Sequence, residues 1–306
     1  MRKFIKLVII FLAPIILLTI SMEVLSRKIP NDYLYKNKYL QQNSGKIEAL
    51  VLGSSHTYYG VDPQYIKKKS FNAAHVSQAL DYDLAILKKY DKNWKNLKYI
   101  ILPVDYFSLY STLDSGVEKW RKKEYKIYYD IDLNAEMSNN FEIINGKLKD
   151  HISRVKRYYI KGKDDITCSK LGWGTSYKSS ESIDLNETGV AAAKRHTINI
   201  ENNLCYEENV ETLNKIIKFA QLRKIKIIFI TCPAYKTYVN NLESKQIQNT
   251  IYTMTQLANS NKNTAYYNLL NDKSFVSEDF YDADHLNEIG AKKLSGIINN
   301  LINKEE

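Results

Sequence analysis

A serine that attacks an ester carbonyl needs a base within hydrogen-bond reach and an acid that fixes the base's tautomer. Two stretches of this chain offer such groups. In EALVLGSSHTYYGVDP, residues 48–63, the apolar run Ala49-Leu50-Val51-Leu52 meets Gly53 and then Ser54, Ser55 and His56. In FYDADHLNEIG, residues 280–290, Asp282 and His285 lie three residues apart just before an amphipathic stretch. In a loop, that spacing brings the carboxylate to one imidazole nitrogen and leaves the other facing the serines. Asp284 is an alternative orienter, although the side chain next to a histidine normally points away from it. Either stretch alone is more often a turn than a catalytic element. Both occur at expected strand-to-helix ends, at opposite ends of one sheet domain, and that favours catalysis. Spacing does not choose between Ser54 and Ser55.

The elements that must position these groups alternate. Residues 47–53 form a Gly-bounded apolar run too short for a helix, which predicts a buried strand. SFNAA, 70–74, is a weaker strand, and Ser77 is placed to cap a helix carrying Leu80, Leu84 and Leu87. LKYIILPV, 97–104, predicts a strand ending at Pro103, and IKIIFITCP, 225–233, the clearest strand of all. Helices are expected around Val210, Leu213, Ile217 and Ala220, over about 237–259, and along Ile289, Leu294, Ile298 and Leu301, with a short strand, TAYYNL, before the last. Such alternation implies an α/β domain, a parallel sheet covered on both faces that holds ligands at its carboxyl edge. The rhythm breaks between about 113 and 200, a Tyr-, Lys- and Ser-rich segment that reads as an insertion in a domain spanning 46–306.

VLGSSH, 51–56, resembles the first block of the SGNH/GDSL hydrolases, with Gly53-Ser54-Ser55-His56 where Gly-Asp-Ser-Leu is usual. DADHL, 282–286, resembles their last block, D-x-x-H, and SFNAAHVSQALDYDLAILKKY resembles the second block of membrane-anchored members found with cell-surface polysaccharide genes. The resemblance covers about 46–110 and 205–303. It implies a flavodoxin-like three-layer α/β/α sandwich, Ser55 as nucleophile, His285 as base and Asp282 as its orienter. It also implies an oxyanion hole from the N–H groups of Ser55 and of Ala73 or Ala74. The third block, Gly-x-Asn-Asp, is replaced by LPVDYFSL, which offers Asp105 but no Asn, so Asn72 or Gln78 is the expected side-chain donor. Likeness to alginate O-acetyltransferases and to the D-alanyl-transfer protein of teichoic-acid systems points to acyl transfer onto a glycan. A multi-spanning membrane acyltransferase is then an implied partner. A non-catalytic glycan-binding or assembly component with the same fold is the alternative.

The N-terminus sets the compartment. Arg2, Lys3 and Lys6 precede an uncharged stretch from Leu7 to Met22, followed by Glu23, Arg27 and Lys28. This predicts a transmembrane signal anchor over 1–26 in the cytoplasmic membrane, with a juxtamembrane linker at 27–45 and the rest extracytoplasmic. The net charge of +10 is then read against anionic lipid or an acidic cell-surface glycan rather than nucleic acid. Cys168, Cys205 and Cys232 lack metal-ligand spacing, and no two of the five histidines stand in H-x-x-x-H register, so neither metal nor cofactor is expected. His56 is read as lining the acyl pocket or filling the first helical turn, and His75 as a surface residue. Arg195 and His196 are within reach of a sugar or carboxylate in the cleft. GKLKDHISRVKRYYIKGK, 146–163, has seven Lys or Arg against one Asp, with Leu148, Ile152, Val155 and Tyr159 on one helical face. Two readings stand open: a helix on a membrane surface or an anionic glycan, or one packed on the domain by that stripe.

Overall fold

The computed structural model describes residues 1–306 except Asn145, Asn202 and Glu306. Two compact units emerge, Met1–Lys38 with Val117–Ile166, and Tyr39–Gly116 with Thr167–Glu306. The segment expected as one insertion, 113–200, is therefore divided between both.

In the first unit α1, Arg2–Arg27, is long and apolar enough to cross a membrane, and its apolar side chains are exposed along its length. Its 26 residues reach about 39 Å, against a hydrocarbon core of about 30 Å. The expected linker is instead a helix, α2, Asp32–Asn43. Asn31 starts it, because its Oδ1 accepts the Leu34 N–H at 2.9 Å. A short helix, α5 at Lys122–Glu124, continues into a π-turn through Tyr129, and α6, Leu148–Tyr159, follows. These pieces meet at Glu142, which accepts from Lys123 Nζ at 2.8 Å, Arg154 Nη1 at 3.2 Å and the Tyr128 hydroxyl. Burial would raise its pKa, but Lys123 and Arg154 override that and hold the carboxyl below the ordinary glutamate range. The N–H groups of Glu142 and Ile143 donate to Glu23 on α1 at 3.0 and 3.1 Å. The apolar stripe of α6 does not pack inward; His151 is its buried residue.

The second unit is built on a five-stranded parallel sheet of order β2-β1-β3-β4-β5, with β1 Ala49–Val51, β2 Ser70–Asn72, β3 Tyr99–Pro103, β4 Lys226–Thr231 and β5 Thr264–Asn268. This is the order of flavodoxin-like doubly wound sheets, whose crevice opens where β1 and β3 diverge in connection. Ala49, Val51, Tyr99, Ile101, Ile228 and Ile230 form one apolar face. It packs against Leu294, Ile298 and Ile302 of α11, Glu288–Lys304, and against Val61 beyond α3, Ser55–Gly60. Alternate residues such as Leu50, Ile100 and Phe229 point the other way. That side carries α4, Leu80–Lys89, α8, Leu204–Leu222, and α10, Ser244–Asn259; Tyr206 of α8 bonds Thr253 of α10 at 2.8 Å.

Two further helices lie in this unit, α7, Leu185–His196, and α9, Lys236–Val239. Ser77 does not cap α4: it sits at φ 60°, and Ala79 is the N-cap residue. An unexpected antiparallel hairpin, β6 Phe280–Asp282 and β7 His285–Leu286, precedes α11. Asn287 fastens it. Its amide donates to the carbonyls of Glu278 and Phe280, while its oxygen caps α11 through the N–H groups of Ile289 and Gly290.

Leu294 is fully buried between α11 and the sheet. Leu294→Ala is expected to cost roughly 2–5 kcal/mol through lost transfer energy and a residual cavity, read as a lower urea midpoint at unchanged slope.

Candidate active site

The site starts at the end of β1. Leu52 still donates to the Ile101 carbonyl at 2.9 Å, but Gly53 turns to φ +106° and the chain enters α3 two residues later. A Cβ on Gly53 would lie 2.2 Å from Pro103 Cγ and 2.9 Å from Thr57 Oγ1, so both conformation and space require glycine. The Gly53 N–H donates to Asp83 Oδ1 at 2.8 Å, and Thr57 Oγ1 donates to the Leu52 carbonyl at 2.7 Å. Ser54 is the N-cap residue, its hydroxyl accepting from the His56 N–H at 3.4 Å. This leaves Ser55 as the first helical residue, half-buried.

Its Oγ lies 2.8 Å from His285 Nε2. His285 Nδ1 lies 2.9 Å from Asp282 Oδ1, and that same oxygen accepts the backbone N–H of His285 at 2.8 Å and of Asp284 at 3.1 Å. The β6–β7 turn thus wraps around one carboxylate, which holds the imidazole by ring and by backbone. With Nδ1 as donor, Nε2 is left as the base facing the serine.

A second His–Asp pair lies beside the first. His56 Nδ1 is 2.8 Å from Asp105 Oδ2, and Asp105 Oδ1 accepts the Cys232 N–H at 2.8 Å. His56 fills the first turn of α3, as one of the two readings expected, and is a buried ion-pair partner of Asp105. Burial alone would lower its pKa, but Asp105 and then Asp284 reverse that and push it up to about 10. His56 Nε2 and Asp284 Oδ2 are 3.7 Å apart, a charge pair beyond hydrogen-bond distance. Arg195 Nη2, on an exposed side chain, is 3.5 Å from the same Asp284 oxygen. His196 Nδ1 is 3.9 Å from it and 2.9 Å from the Tyr238 hydroxyl. Burial pushes the His196 pKa down to about 3, so this ring is neutral. Asp284 Oδ1 lies 3.7 Å from His285 Nδ1, so Asp284 backs the histidine cluster while Asp282 makes the hydrogen bond.

The oxyanion donors expected from the motifs are committed elsewhere. The Asn72 amide donates to the carbonyls of Thr57 and Val61, both at 2.8 Å, closing the end of α3. The Ala73 N–H donates to the Val51 carbonyl at 2.8 Å, continuing the β1–β2 ladder, and the Ala74 N–H to Asn72 Oδ1 at 3.0 Å. Gln78 Nε2 donates to Asp83 Oδ1 at 2.6 Å, beneath the Gly53 turn. The Ser55 N–H, at the start of α3, makes no hydrogen bond among the described residues.

His75 is buried, contrary to its expected place on the surface. Cys168, Cys205 and Cys232 are free thiols. His56, Asp105 and Cys232, or His56, Asp284 and His285, are close enough to share a metal ion. In both groups ring nitrogens already face carboxylates or Ser55, which suits a hydrogen-bonded relay better than a ligand set.

No family model and no curated protein matches this sequence. Among solved structures the chain is similar to one described as a platelet activating factor from Streptococcus pneumonia (12% identity, 95% of this chain and 99% of that one, TM-score 0.46). It is also similar to a Bacteroides fragilis structure described as an acylhydrolase (10% identity, 88% and 95%, TM-score 0.42). A third is a GDSL-like lipase from Bacteroides thetaiotaomicron (10% identity, 90% and 100%, TM-score 0.43). At that distance the chemistry has to be argued from this chain's own atoms.

One wall was not foreseen. Tyr177 stacks between Tyr59, at 3.7 Å, and Tyr281, at 3.9 Å, and its edge meets the His285 ring at 5.4 Å. Tyr177 falls in the aperiodic stretch, where no sequence spacing marks it; Tyr59, one helical turn beyond Ser55, was the available signal.

Gly53→Ala is expected to destabilise the fold by roughly 2–4 kcal/mol, from the left-handed conformation and the contact with Pro103, as read by urea denaturation. Asp83 gives a second test. Burial raises its pKa to about 7, against the lowering effect of Gln78 and the Gly53 N–H. A raised folded pKa contributes stability that is complete below about pH 4 and lost as pH climbs through 7. Asp83→Asn keeps an acceptor for Gly53 and removes the titration. It should be more stable than wild type near pH 8, with the advantage shrinking as pH falls and gone below about pH 4, in paired denaturation curves.

Proposed function

We propose that this chain is a serine-dependent acyl-ester hydrolase or O-acyltransferase of SGNH/GDSL type, anchored by α1 in the cytoplasmic membrane and acting outside it on a cell-surface polysaccharide. The observation that carries the reading is the unbroken relay from Ser55 Oγ through both ring nitrogens of His285 to Asp282. On this reading Ser55 Oγ bonds to the acyl carbon as His285 Nε2 takes its proton. Asp282 stabilises the imidazolium that forms. The same proton passes to the departing alkoxide, leaving an acyl-Ser55. Water or a sugar hydroxyl then attacks that ester, with His285 again as base and Ser55 as leaving group. The tyrosines Tyr59, Tyr177 and Tyr281 put aromatic rings beside His285, where an acceptor sugar would meet their edges, since both faces of Tyr177 are taken within the stack. A multi-spanning acyltransferase would supply the acyl group from across the membrane.

The oxyanion would rest on the Ser55 N–H and the start of α3. Losing one oxyanion donor typically costs about 10²–10³ in rate, so turnover of simple esters should be slow. The engaged Asn72 and Ala73 donors also favour a second reading, a glycan-binding component that does no chemistry.

A fluorophosphonate probe and aryl acetate turnover on the full chain in detergent separate the two. Wild type is expected to take the label, and Ser55→Ala or His285→Ala to lose it, with turnover down on the order of 10³-fold or more. A wild-type chain that takes no label and turns over no ester, yet binds glycan, would leave the second reading standing.

A further inference from the structure

Among the apolar surfaces that the first unit exposes, two adjoin. One is α1. The other is the outer side of α6, where Leu148, Ile152, Tyr159 and Ile160 remain 61, 38, 46 and 76% exposed. The inner side of α6 is well anchored: His151 is buried, Arg154 bonds Glu142 and Asp165, and Arg157 pairs with Asp165. α6 also packs against α1, and the Tyr159 hydroxyl donates to the Leu25 carbonyl at 3.2 Å, where α1 ends. The stripe is thus held in place and still uncovered. Lys147, Lys149, Lys156, Lys161 and Lys163 surround it and make no ion pair among the described residues.

We propose that α6 lies in the surface of an anionic phospholipid bilayer, as a second membrane contact beside α1. Leu148, Ile152 and Ile160 would enter the boundary between headgroups and acyl chains, and the lysines would meet lipid phosphates. Two arguments select lipid as the occupant. The stripe continues the apolar surface of α1 at Leu25, the depth at which a helix of this length leaves a core of about 30 Å. Interfacial helices also combine these two features, an apolar stripe and a basic flank. An acidic glycan would satisfy the lysines but would leave Leu148 and Ile160 in water.

The test uses the full chain in vesicles, with Cys168→Ser and Cys205→Ser removing the half-buried thiols. An environment-sensitive fluorophore is placed at Ile152→Cys or Ile160→Cys, with Leu222→Cys, 73% exposed at the end of α8 in the other unit, as the reference site. In vesicles containing phosphatidylglycerol, the labels at 152 and 160 should be quenched by spin-labelled lipid. They should also be shielded from aqueous iodide several-fold relative to 222. Lys147→Glu with Lys149→Glu and Lys156→Glu, or phosphatidylcholine alone, should reduce that shielding, each lysine near an anionic surface being worth about five-fold in occupancy. Iodide access at 152 and 160 equal to that at 222 would overturn the proposal. So would shielding that follows the protein-to-lipid ratio, which would assign the stripe to a second copy of the chain. Equal shielding in phosphatidylcholine alone would overturn the role given to the lysines.

Discussion

The turn at Gly53 governs the second unit. A buried strand must end, reverse its backbone into a left-handed conformation and begin a helix within two residues, under the ring of Pro103. Any side chain at that point would press on β3. The carboxylate of Asp83 supports the turn from below by accepting its N–H, and Gln78 supports that carboxylate. A buried acid under a tight turn is an expensive choice unless its acceptor capacity is used, and here the turn uses it. Ser55 inherits its position from this arrangement, since it is the first residue free of the strand and the first bound into the helix.

Electrostatics then divides the histidines at the carboxyl edge of the sheet into three states. His285 faces the serine on one side and Asp282 on the other. His56 is held as a cation between Asp105 and Asp284. His196 is kept neutral by burial. Asp284 is central to this division, because His285, His56, His196 and Arg195 all approach it. Burial would protonate it, yet the histidines around it, His285 and His56 foremost, hold it well below the usual carboxylate range. Its charge stands 3.7 Å from His285 Nδ1, behind the hydrogen bond to Asp282.

What could be read from sequence followed the range of the forces involved. The sheet was legible because its central strands are short apolar runs bounded by turn residues, and all five strands needed trimming only at their ends. Asp282 and His285 stood out as candidates because they sit beside such a boundary, whereas Ser55 was separated from Ser54 only by the resemblance of VLGSSH to a family motif. Helix α2 was missed because the polar stretch after the membrane helix was taken as a linker, whereas Asn31 in that stretch starts a helix. The β6–β7 hairpin was missed because strands of two or three residues carry no period. The pairing of His56 with Asp105 spans 49 positions, and nothing local announces it. Asn72 and Ala73 were assigned by their place in a motif, but a donor serves one acceptor at a time. In this chain the strand ladder and the end of α3 take them first. In the first unit α1 and α6 were legible from their apolar runs, but the way its segments gather on Glu142 was not, since no local pattern announces a buried glutamate.

The order of the relay along the chain has a consequence for biogenesis. Ser55 and His285 touch across 230 positions of sequence. A nascent chain entering its compartment from the N-terminal end has made the serine turn long before the hairpin that carries the histidine exists. The strands between them can pair as they emerge, but the relay closes only after β4, β5 and the hairpin have arrived. A chain cut short before residue 285 carries Ser55 without the imidazole that faces it, and with α11 missing from one face of the sheet.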